Sequence, residues 1–286
     1  MNHFVLLVMD SCRYDSVRDT WGELSNMPKL GELEKAHSFA TWTLPSHIDF
    51  LAGRLPWRET KDPRFTRGGG RFHFERIGEL KQWQRRLEIE DPTIISDQYR
   101  IHEILHSNGY KIKAITSASP IGKGTMFSQL VDEHVDVGSK GDTLLRAVEH
   151  LNFDGSSFYI VNICETHYPF WIPGYDLELE KRVMSGLRGL ARAAREGTPI
   201  EDVLFSDEDL MYLRGRQRDS VRYVDSKLPN LLRRLPENTS MVITADHGEA
   251  FGEGGYIGHG EVAHSIVLEV PFIEVSPERI RSLVRQ

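Results

Sequence analysis

The sequence predicts an α/β fold with a mostly parallel central sheet sandwiched by helices. Short, largely apolar runs at 4–9, 157–164 and 241–245 are typical of strands buried on both faces. Segments in which apolar residues recur at helical spacing lie between these runs, and this alternation is typical of a sheet with helices on both sides. The 286 residues contain no repeat and no convincing linker, so we expect one domain over residues 1–286.

In the first part of the chain, the strand at 4–9 is followed by a predicted helix at 27–36, with Leu30 and Leu33 facing inward. Another helix is expected to start after Pro45 and to end by Gly53. The remaining elements follow in order. They are helix 98–107, strand 111–116, helix 142–151, strand 157–164, helices 176–195 and 207–235, strand 241–245 and a fourth buried strand within 266–275.

Composition and charge exclude several classes of protein. The 35 basic and 42 acidic residues give a net charge of −7, which argues against a general nucleic-acid partner. Cys12 and Cys164 are too few for a disulfide framework, although a single bridge stays open. The sequence shows neither a signal peptide nor a run of roughly 20 apolar residues, so we expect a cytoplasmic protein without a membrane partner.

Polar residues that suit a metal follow two of the apolar runs. Asp246 and His247 come directly after one predicted strand, and Asp10 comes directly after another. The carboxyl ends of parallel strands form the edge at which α/β proteins bind ligands. Carboxylates and an imidazole together suit a divalent ion such as zinc or manganese. Taken singly, each residue also fits a turn or a helix cap that holds no metal.

A second candidate site lies in the loop Thr41–Arg54. Thr43 stands two residues before Pro45, at the expected start of a helix, where negative charge is stabilised. A nearby metal would lower the pKa of the Thr43 hydroxyl and turn it into a nucleophile for phosphoryl transfer. The alternative is an ordinary helix start that is capped by Thr43 or Ser46.

Three motifs together carry a family resemblance. They are Asp10-Ser-Cys-Arg-Tyr-Asp15, Trp42-Thr-Leu-Pro-Ser-His47, and Asp246-His-Gly-Glu-Ala-Phe-Gly-Glu253 with Gly258-His-Gly260. In this order they resemble the sulfatase-like branch of the alkaline phosphatase superfamily, which includes phosphonate monoester hydrolases and phosphoethanolamine transferases. The resemblance implies an alkaline-phosphatase-like core without the sulfatase C-terminal subdomain. It also implies insertions at about 55–95 and 173–218, which the motifs do not cover.

The resemblance also implies a role for each matching residue. The metal ligands would be Asp10, Thr43, Asp246 and His247, with Thr43 as the nucleophile that becomes phosphorylated. His167 and His259 would act in catalysis and face the transferred group, or would hold a second metal. The remaining implied contacts are weaker: Glu165 beside His167, and His47 and Arg13 toward the substrate. Arg13 fits a surface or core-edge position equally well.

Three departures from the sulfatase pattern shift the expected substrate. Thr43 cannot be oxidised to the formylglycine of true sulfatases, because its β-carbon carries a methyl group. His47 replaces an arginine of that pattern, and Ser11 replaces the second aspartate of its metal pair. We therefore expect a phosphate or phosphonate ester. The membrane tether of the transferases is not seen in this sequence, which favours a small soluble ester over a lipid headgroup.

These observations predict a metal-dependent hydrolase of small phosphate or phosphonate esters, with zinc or manganese as cofactor. A phosphotransferase or mutase using the same site is the near alternative. A catalytically silent binding protein and a sulfatase with an unmodified Thr43 are more distant alternatives, and self-association into a homo-oligomer stays open. Eight basic and three acidic residues in 61–86 form either a flap that recruits an anionic substrate or an ordinary solvated face.

Overall fold

The computed structural model describes residues 2–53, 56–58, 101–173, 196, 205–260 and 262–284. These residues contain ten strands, in chain order β1 His3–Met9, β2 Glu34–His37, β3 Trp57–Arg58, β4 Lys111–Thr116, β5 Glu133–Asp136, β6 Ser157–Ile163, β7 Thr239–Thr244, β8 Ala250–Phe251, β9 Ile257–Gly258 and β10 Glu269–Val275.

Eight of the strands in the described part of the chain form one sheet, in the order β3-β2-β10-β7-β1-β6-β4-β5. The pairs β1/β6, β1/β7, β4/β6 and β4/β5 are parallel, whereas β10 runs antiparallel to both β7 and β2. Every residue of β1 and β6 is buried, as their apolar runs predict for central strands. The predicted α/β fold with a mostly parallel central sheet is confirmed.

The helices of the described residues flank the sheet in two groups. They are α1 Tyr14–Thr20, α2 Met27–Leu30, α3 Thr43–Leu51, α4 Ile101–Ser107, α5 Thr143–Glu149, α6 Asp207–Leu232, α7 Ser265–Leu268 and α8 Pro277–Val284. In one group, α1, α5 and α8 each pack against the long helix α6. In the other group, α3 packs against α4 and against a short 3₁₀ turn at Ser119–Ile121.

The long helix α6 has a well-defined start and one buried face. Ser206 caps it, since its side chain accepts the Asp209 N–H while the Asp209 carboxylate accepts the Ser206 N–H. Apolar residues at helical spacing, from Leu213 to Leu228, face the protein interior. Four polar side chains are buried among them: Arg216, Gln217, Ser220 and Asp225. Asp225 accepts the backbone N–H groups of residues 25–27 and so holds the start of α2.

The predicted helix at 27–36 is wrong over its second half. The helix ends at Leu30, and Glu34–His37 forms strand β2, which pairs with β10. Gly31 explains where the change occurs, because a Cβ at this position would lie 2.4 Å from the carbonyl oxygen of Glu274. The chain therefore passes against β10 at Gly31 in an extended conformation, and strand pairing outweighs the helical pattern of Leu30 and Leu33.

Other boundaries differ in ways that matter for the site. Helix α3 begins at Thr43, two residues before Pro45 rather than after it. Within 266–275, a helical turn precedes the expected strand β10. The half-exposed strand β5 has no apolar run and was not predicted. The predicted helix 176–195, the basic segment 61–86, nearly all of 55–95 and most of 173–218 lie outside the described residues.

Candidate metal centre and catalytic cavity

The sheet topology brings the predicted metal ligands together. Strands β7 and β1 are neighbours, and Asp10 and Asp246 follow their carboxyl ends. Asp10, Asp246 and His247 each offer a ligand atom, and these atoms all lie within 4.8 Å of one another. All three side chains are fully buried.

The environment of the two carboxylates fits a divalent cation. Asp246 Oδ2 is buried and has no hydrogen-bond partner among the described residues. Burial, together with the nearby charge of Asp10, raises the pKa of Asp246 well above its usual value. Two buried carboxylates repel each other unless a positive charge lies between them. An unsatisfied oxygen, a second carboxylate and an imidazole form a donor set that suits zinc or manganese.

His247 has the protonation state that a metal ligand needs. Its Nδ1 lies 2.9 Å from the carbonyl oxygen of Gly248 and donates to it, which leaves the lone pair of Nε2 free to bind a metal. Burial, together with the positive charge of His259, lowers the pKa of His247 to about 4, so the imidazole is neutral at physiological pH. Nε2 lies 3.5 Å from Asp246 Oδ2.

The backbone at Asp246 is held in place by neighbouring loops. The hydroxyls of Ser38 and Ser46 donate to its carbonyl oxygen at 2.5 Å and 2.9 Å. The Ser11 N–H donates to its Oδ1 at 3.1 Å. At Gly248, a Cβ would lie 2.3 Å from the carbonyl oxygen of Ile266, so only glycine fits there. Ser46 thus contributes to the site by orienting Asp246.

Thr43, the predicted nucleophile, lies beside the three metal-ligand candidates. It is the first residue of α3, follows the extended residue Trp42, and is nearly buried. Its Oγ1 lies 3.3 Å from His247 Nε2. The free backbone N–H groups at the start of α3 favour negative charge at this position.

Two further predicted residues complete the cluster. The His259 ring centroid lies 4.5 Å from that of His247 and 5.4 Å from that of His167. His259 Nδ1 is 2.8 Å from Glu249 Oε2. Burial opposes the charge on His259, but the pairing with Glu249 outweighs it and raises the pKa of His259 to about 9. His167 Nε2 lies 3.9 Å from Asp10 Oδ1, because the adjacent strands β1 and β6 bring their following loops together.

The catalytic candidates share a cavity of about 270 Å³. Thr43, His167 and His259 line one part of it. Its other lining residues come from the loops that follow β4, β5 and β6 and from the short segment before α3. They are Trp42, Ala118, Ser119, Pro120, Ser139, Cys164, Tyr168, Pro169 and Trp171.

His47 and Arg13 were the weaker candidates for substrate contact. Both are buried, and neither is among the residues that line the cavity. His47 has no exposed surface, and its Nδ1 donates to the Thr43 carbonyl oxygen at 2.8 Å. The Arg13 guanidinium donates twice to Asp15 at 2.7 Å and once to Glu253 at 2.6 Å. The placement of Arg13 matches the core-edge alternative, and His47 contacts the backbone of Thr43, the predicted nucleophile.

Glu165 does not converge with His167 and His259, the two histidines that are predicted to be catalytic. Its carboxylate accepts the backbone N–H of Leu144 at 2.9 Å and the hydroxyl of Thr143. Both partners belong to the first turn of α5, so Glu165 holds the start of that helix. The idea that it assists His167 is wrong in this geometry.

Gln217 is a structural part of the site that sequence reasoning missed. Its Nε2 donates to the carbonyl oxygens of Ser11 at 2.8 Å and of Thr166 at 3.2 Å. Its Oε1 accepts the Ser16 hydroxyl at 2.7 Å. Helix α6 thereby joins the loop after Asp10 to the loop that carries His167. The only signal in the sequence is one amide among apolar residues on a helix face.

Comparison with known proteins identifies the family. The Sulfatase family model matches residues 97–286, and the chain belongs to this family. The predicted membership of the sulfatase-like branch of the alkaline phosphatase superfamily is therefore confirmed. A search of curated proteins finds no match.

Solved structures of similar fold cover nearly the whole chain. The C-terminal periplasmic domain of phosphoethanolamine transferase EptC from Campylobacter jejuni is 17% identical, with a TM-score of 0.53, over 99% of this chain and 81% of that one. The corresponding domain of EcEptC from Escherichia coli, solved in complex with Zn, is 15% identical, with a TM-score of 0.54, over 98% and 74%. The 2-O GAG sulfatase BT1596 is 14% identical, with a TM-score of 0.55, over 96% and 64%. At these identities the likeness concerns the fold.

In the parts of the chain that the structure describes, no helix combines the length and the apolar character that crossing a bilayer requires.

Proposed function

We propose that this protein is a metal-dependent phosphoryl-transfer enzyme that hydrolyses small phosphate or phosphonate esters through Thr43. The observation that carries the proposal is the position of Thr43 Oγ1, 3.3 Å from His247 within the Asp10, Asp246 and His247 cluster. The motif resemblance implies that Thr43 occupies the position of the nucleophile, and a threonine hydroxyl needs activation to serve as one.

Asp10, Asp246 and His247 would hold the metal, and Zn or Mn is the proposed ion. The Zn complex of the similarly folded EcEptC domain supports zinc. Such an ion would lower the pKa of an adjacent hydroxyl and neutralise charge on the transferred group. The buried carboxylates supply the negative charge that the ion requires, and Asn162 Nδ2 orients Asp10 by donating to its Oδ2 at 2.9 Å.

The reaction then proceeds in two steps on the protein's own side chains. The Thr43 hydroxyl loses its proton to solvent, its oxygen bonds to phosphorus, and the bond from phosphorus to the ester oxygen breaks. His259 Nε2 donates a proton to the departing alcohol, leaving phosphothreonine. In the second step His259 removes a proton from water, the resulting hydroxide bonds to phosphorus, and the bond from phosphorus to the Thr43 oxygen breaks. That oxygen then takes back a proton from solvent. His167 lines the same cavity and would contact the non-bridging oxygens.

A phosphotransferase is the second candidate, and the phosphoethanolamine transferases among the solved structures of similar fold favour it. Both activities share the first step and differ only in whether water or an alcohol accepts the phosphoryl group. Product analysis in the presence of added alcohols separates them. Hydrolysis gives phosphate alone, whereas transfer gives a new ester in proportion to the alcohol concentration.

The test of the proposed function combines metal analysis with turnover of nitrophenyl phosphate mono- and diesters. We expect stoichiometric zinc or manganese in the purified protein and no turnover by Thr43→Ala. Thr125→Ala is a matched control, because the Thr125 side chain bonds only within its own surface turn. Absence of bound metal together with full activity of Thr43→Ala would overturn the proposal.

Location and partners stay predictions. We propose a cytoplasmic enzyme that acts on a small ester without nucleic acid or membrane. The periplasmic origin of the similarly folded EptC domains makes the periplasm the alternative. Cell fractionation with compartment markers decides between the two locations, and size-exclusion chromatography with light scattering determines whether copies of the chain associate.

A further inference from the structure

We propose that the cavity beside Thr43 is the subsite for the alcohol part of the ester, and that it selects an uncharged aromatic or similarly flat ring. This inference rests on the proposed function, since it assigns the substrate class of the same site. It depends on the lining of the cavity, on the charges around it and on its size.

The first observation is the position of the aromatic lining relative to the nucleophile. Trp42 directly precedes Thr43 and lines the same cavity as Tyr168 and Trp171. When Thr43 attacks phosphorus, the alcohol of the ester therefore departs into a cavity lined by aromatic side chains. Trp42 remains 42% exposed, although tryptophan is usually well buried. A ring of the substrate would cover this exposed apolar surface.

Proline rings extend the flat apolar surface. Pro120 and Pro169 line the same cavity as the aromatic side chains. The proline rings and most of each indole ring are apolar. Such a lining binds planar apolar groups by burial and stacking.

The second observation is the charge around the cavity. Of the described residues that line it, none is an aspartate or a glutamate. Lys140 Nζ lies 5.7 Å from the centroid of the Trp171 ring and so adds a positive charge at that wall. An ammonium group on the alcohol would face this like charge and find no carboxylate partner. The lining therefore favours an uncharged alcohol over an amino alcohol.

The third observation is size. The cavity of about 270 Å³ lies just below the usual range for ligand pockets, roughly 300–1,000 Å³. The part formed by the described residues suits one ring together with a phosphoryl group. A polymer chain or an extended lipid tail would exceed it.

Three phosphonates with the same anionic headgroup test the proposal without turnover. Phenylphosphonate, methylphosphonate and 2-aminoethylphosphonate would each be titrated into the zinc-loaded protein by calorimetry. We expect phenylphosphonate to bind about tenfold to a hundredfold more tightly than the other two, the gain that burying one apolar ring contributes.

Variants locate the selectivity in the cavity. Trp171→Ala should remove most of the preference for phenylphosphonate and leave methylphosphonate affinity unchanged, whereas Trp171→Phe should retain much of it. Tyr256→Ala is the aromatic control, because Tyr256 is exposed and does not line the cavity. Circular dichroism confirms that each variant is folded before titration.

The outcomes distinguish a failure of the subsite proposal from a failure of the proposed function. Equal affinities for the three phosphonates, tighter binding of 2-aminoethylphosphonate, or no binding to folded zinc-loaded protein would each overturn the subsite, even if nitrophenyl esters are hydrolysed. Selective binding of phenylphosphonate without any ester turnover would support the subsite and overturn the proposed function.

Discussion

The side-chain amide of Gln217 holds the backbone carbonyl of Ser11 at 2.8 Å. Ser11 has a φ of 56°, which is unusual for a residue other than glycine, and it directly follows the metal-ligand candidate Asp10. Gln217 thus stabilises a strained turn at the point where the sheet presents its first carboxylate. A residue of the long helix α6 thereby supports the geometry of a site to which it contributes no ligand.

Replacing Gln217 by Met should therefore damage both stability and metal binding. The variant leaves the carbonyl oxygens of Ser11 and Thr166 without their buried donor, a cost of about 2–4 kcal/mol in the free energy of unfolding. Zinc affinity should fall about tenfold, as is common for residues that orient ligands. Chemical denaturation and competition with a zinc chelator measure the two effects. The exposed Gln129→Met is the control, and wild-type zinc affinity in Gln217→Met would contradict this role.

Asp246→Asn should have opposite effects on the metal-free and metal-loaded protein. Without metal, the substitution removes repulsion between two buried carboxylates, so we expect the melting temperature of the chelator-treated protein to rise. With zinc added, wild type should gain stability in proportion to its affinity, while the variant should gain little. Differential scanning calorimetry with and without zinc measures both. A variant that melts lower than wild type in chelator would show that the carboxylates do not repel each other.

Thr41 and Gly260 join the loop before Thr43 to the loop of His259. The Gly260 N–H donates to the Thr41 carbonyl oxygen at 2.8 Å, and the Thr41 hydroxyl donates to the Gly260 carbonyl. Thr41→Val keeps the shape but removes the hydroxyl. We expect kcat to fall about tenfold through loss of alignment, with zinc content unchanged. An unaltered kcat would show that the backbone bond alone aligns the two loops.

Arg13→Met separates a packing role from a substrate-binding role. The substitution leaves Asp15 and Glu253 without their buried partner, which should lower the free energy of unfolding by about 3–5 kcal/mol. The KM of the folded enzyme should stay near that of wild type. Urea denaturation and steady-state kinetics provide the two readouts. A large rise in KM with little loss of stability would instead support the substrate contact that the sequence predicted.

The ion pair of Arg13 with Glu253 also predicts a pH dependence. Burial raises the pKa of Glu253, but the Arg13 charge outweighs this and lowers it overall. A lowered folded-state pKa contributes stability above the unfolded value of about 4.3, and this contribution is lost as the pH falls through the folded value. The stability difference between wild type and Glu253→Gln should therefore be largest near neutral pH and shrink below pH about 4.3. A constant difference would contradict the pairing.

The sequence predicts the centre of the fold and of the site because local patterns specify both. The apolar strands before Asp10 and Asp246 require burial on two faces, and adjacent parallel strands bring their ends to one edge. Strand β2 could not be predicted in the same way, because its formation depends on pairing with β10, more than 200 residues away. The sequence pattern over residues 27–36 is helical, whereas in the structure the helix ends at Leu30, just before Gly31 packs against Glu274.

Supporting residues were harder to predict than ligands. Gln217 acts through bonds to loops some 50 and 200 residues away, which no local pattern reveals. The bond between Glu249 and His259 depends on the small hairpin of β8 and β9. His47 and Arg13 were placed toward the substrate because they neighbour functional residues in sequence. In the fold they point into the protein interior and support the backbone and loops of the site.

Identifying the phosphorylated residue tests most directly whether Thr43 is the nucleophile. The enzyme would be incubated with a nitrophenyl phosphate ester, quenched in acid during turnover, digested, and analysed by tandem mass spectrometry. We predict one phosphoryl group on Thr43 in wild type and none in Thr43→Ala. Turnover with phosphate attached to another side chain, or equal turnover by Thr43→Ala with no phosphorylated residue, would contradict the central claim that Thr43 is the nucleophile.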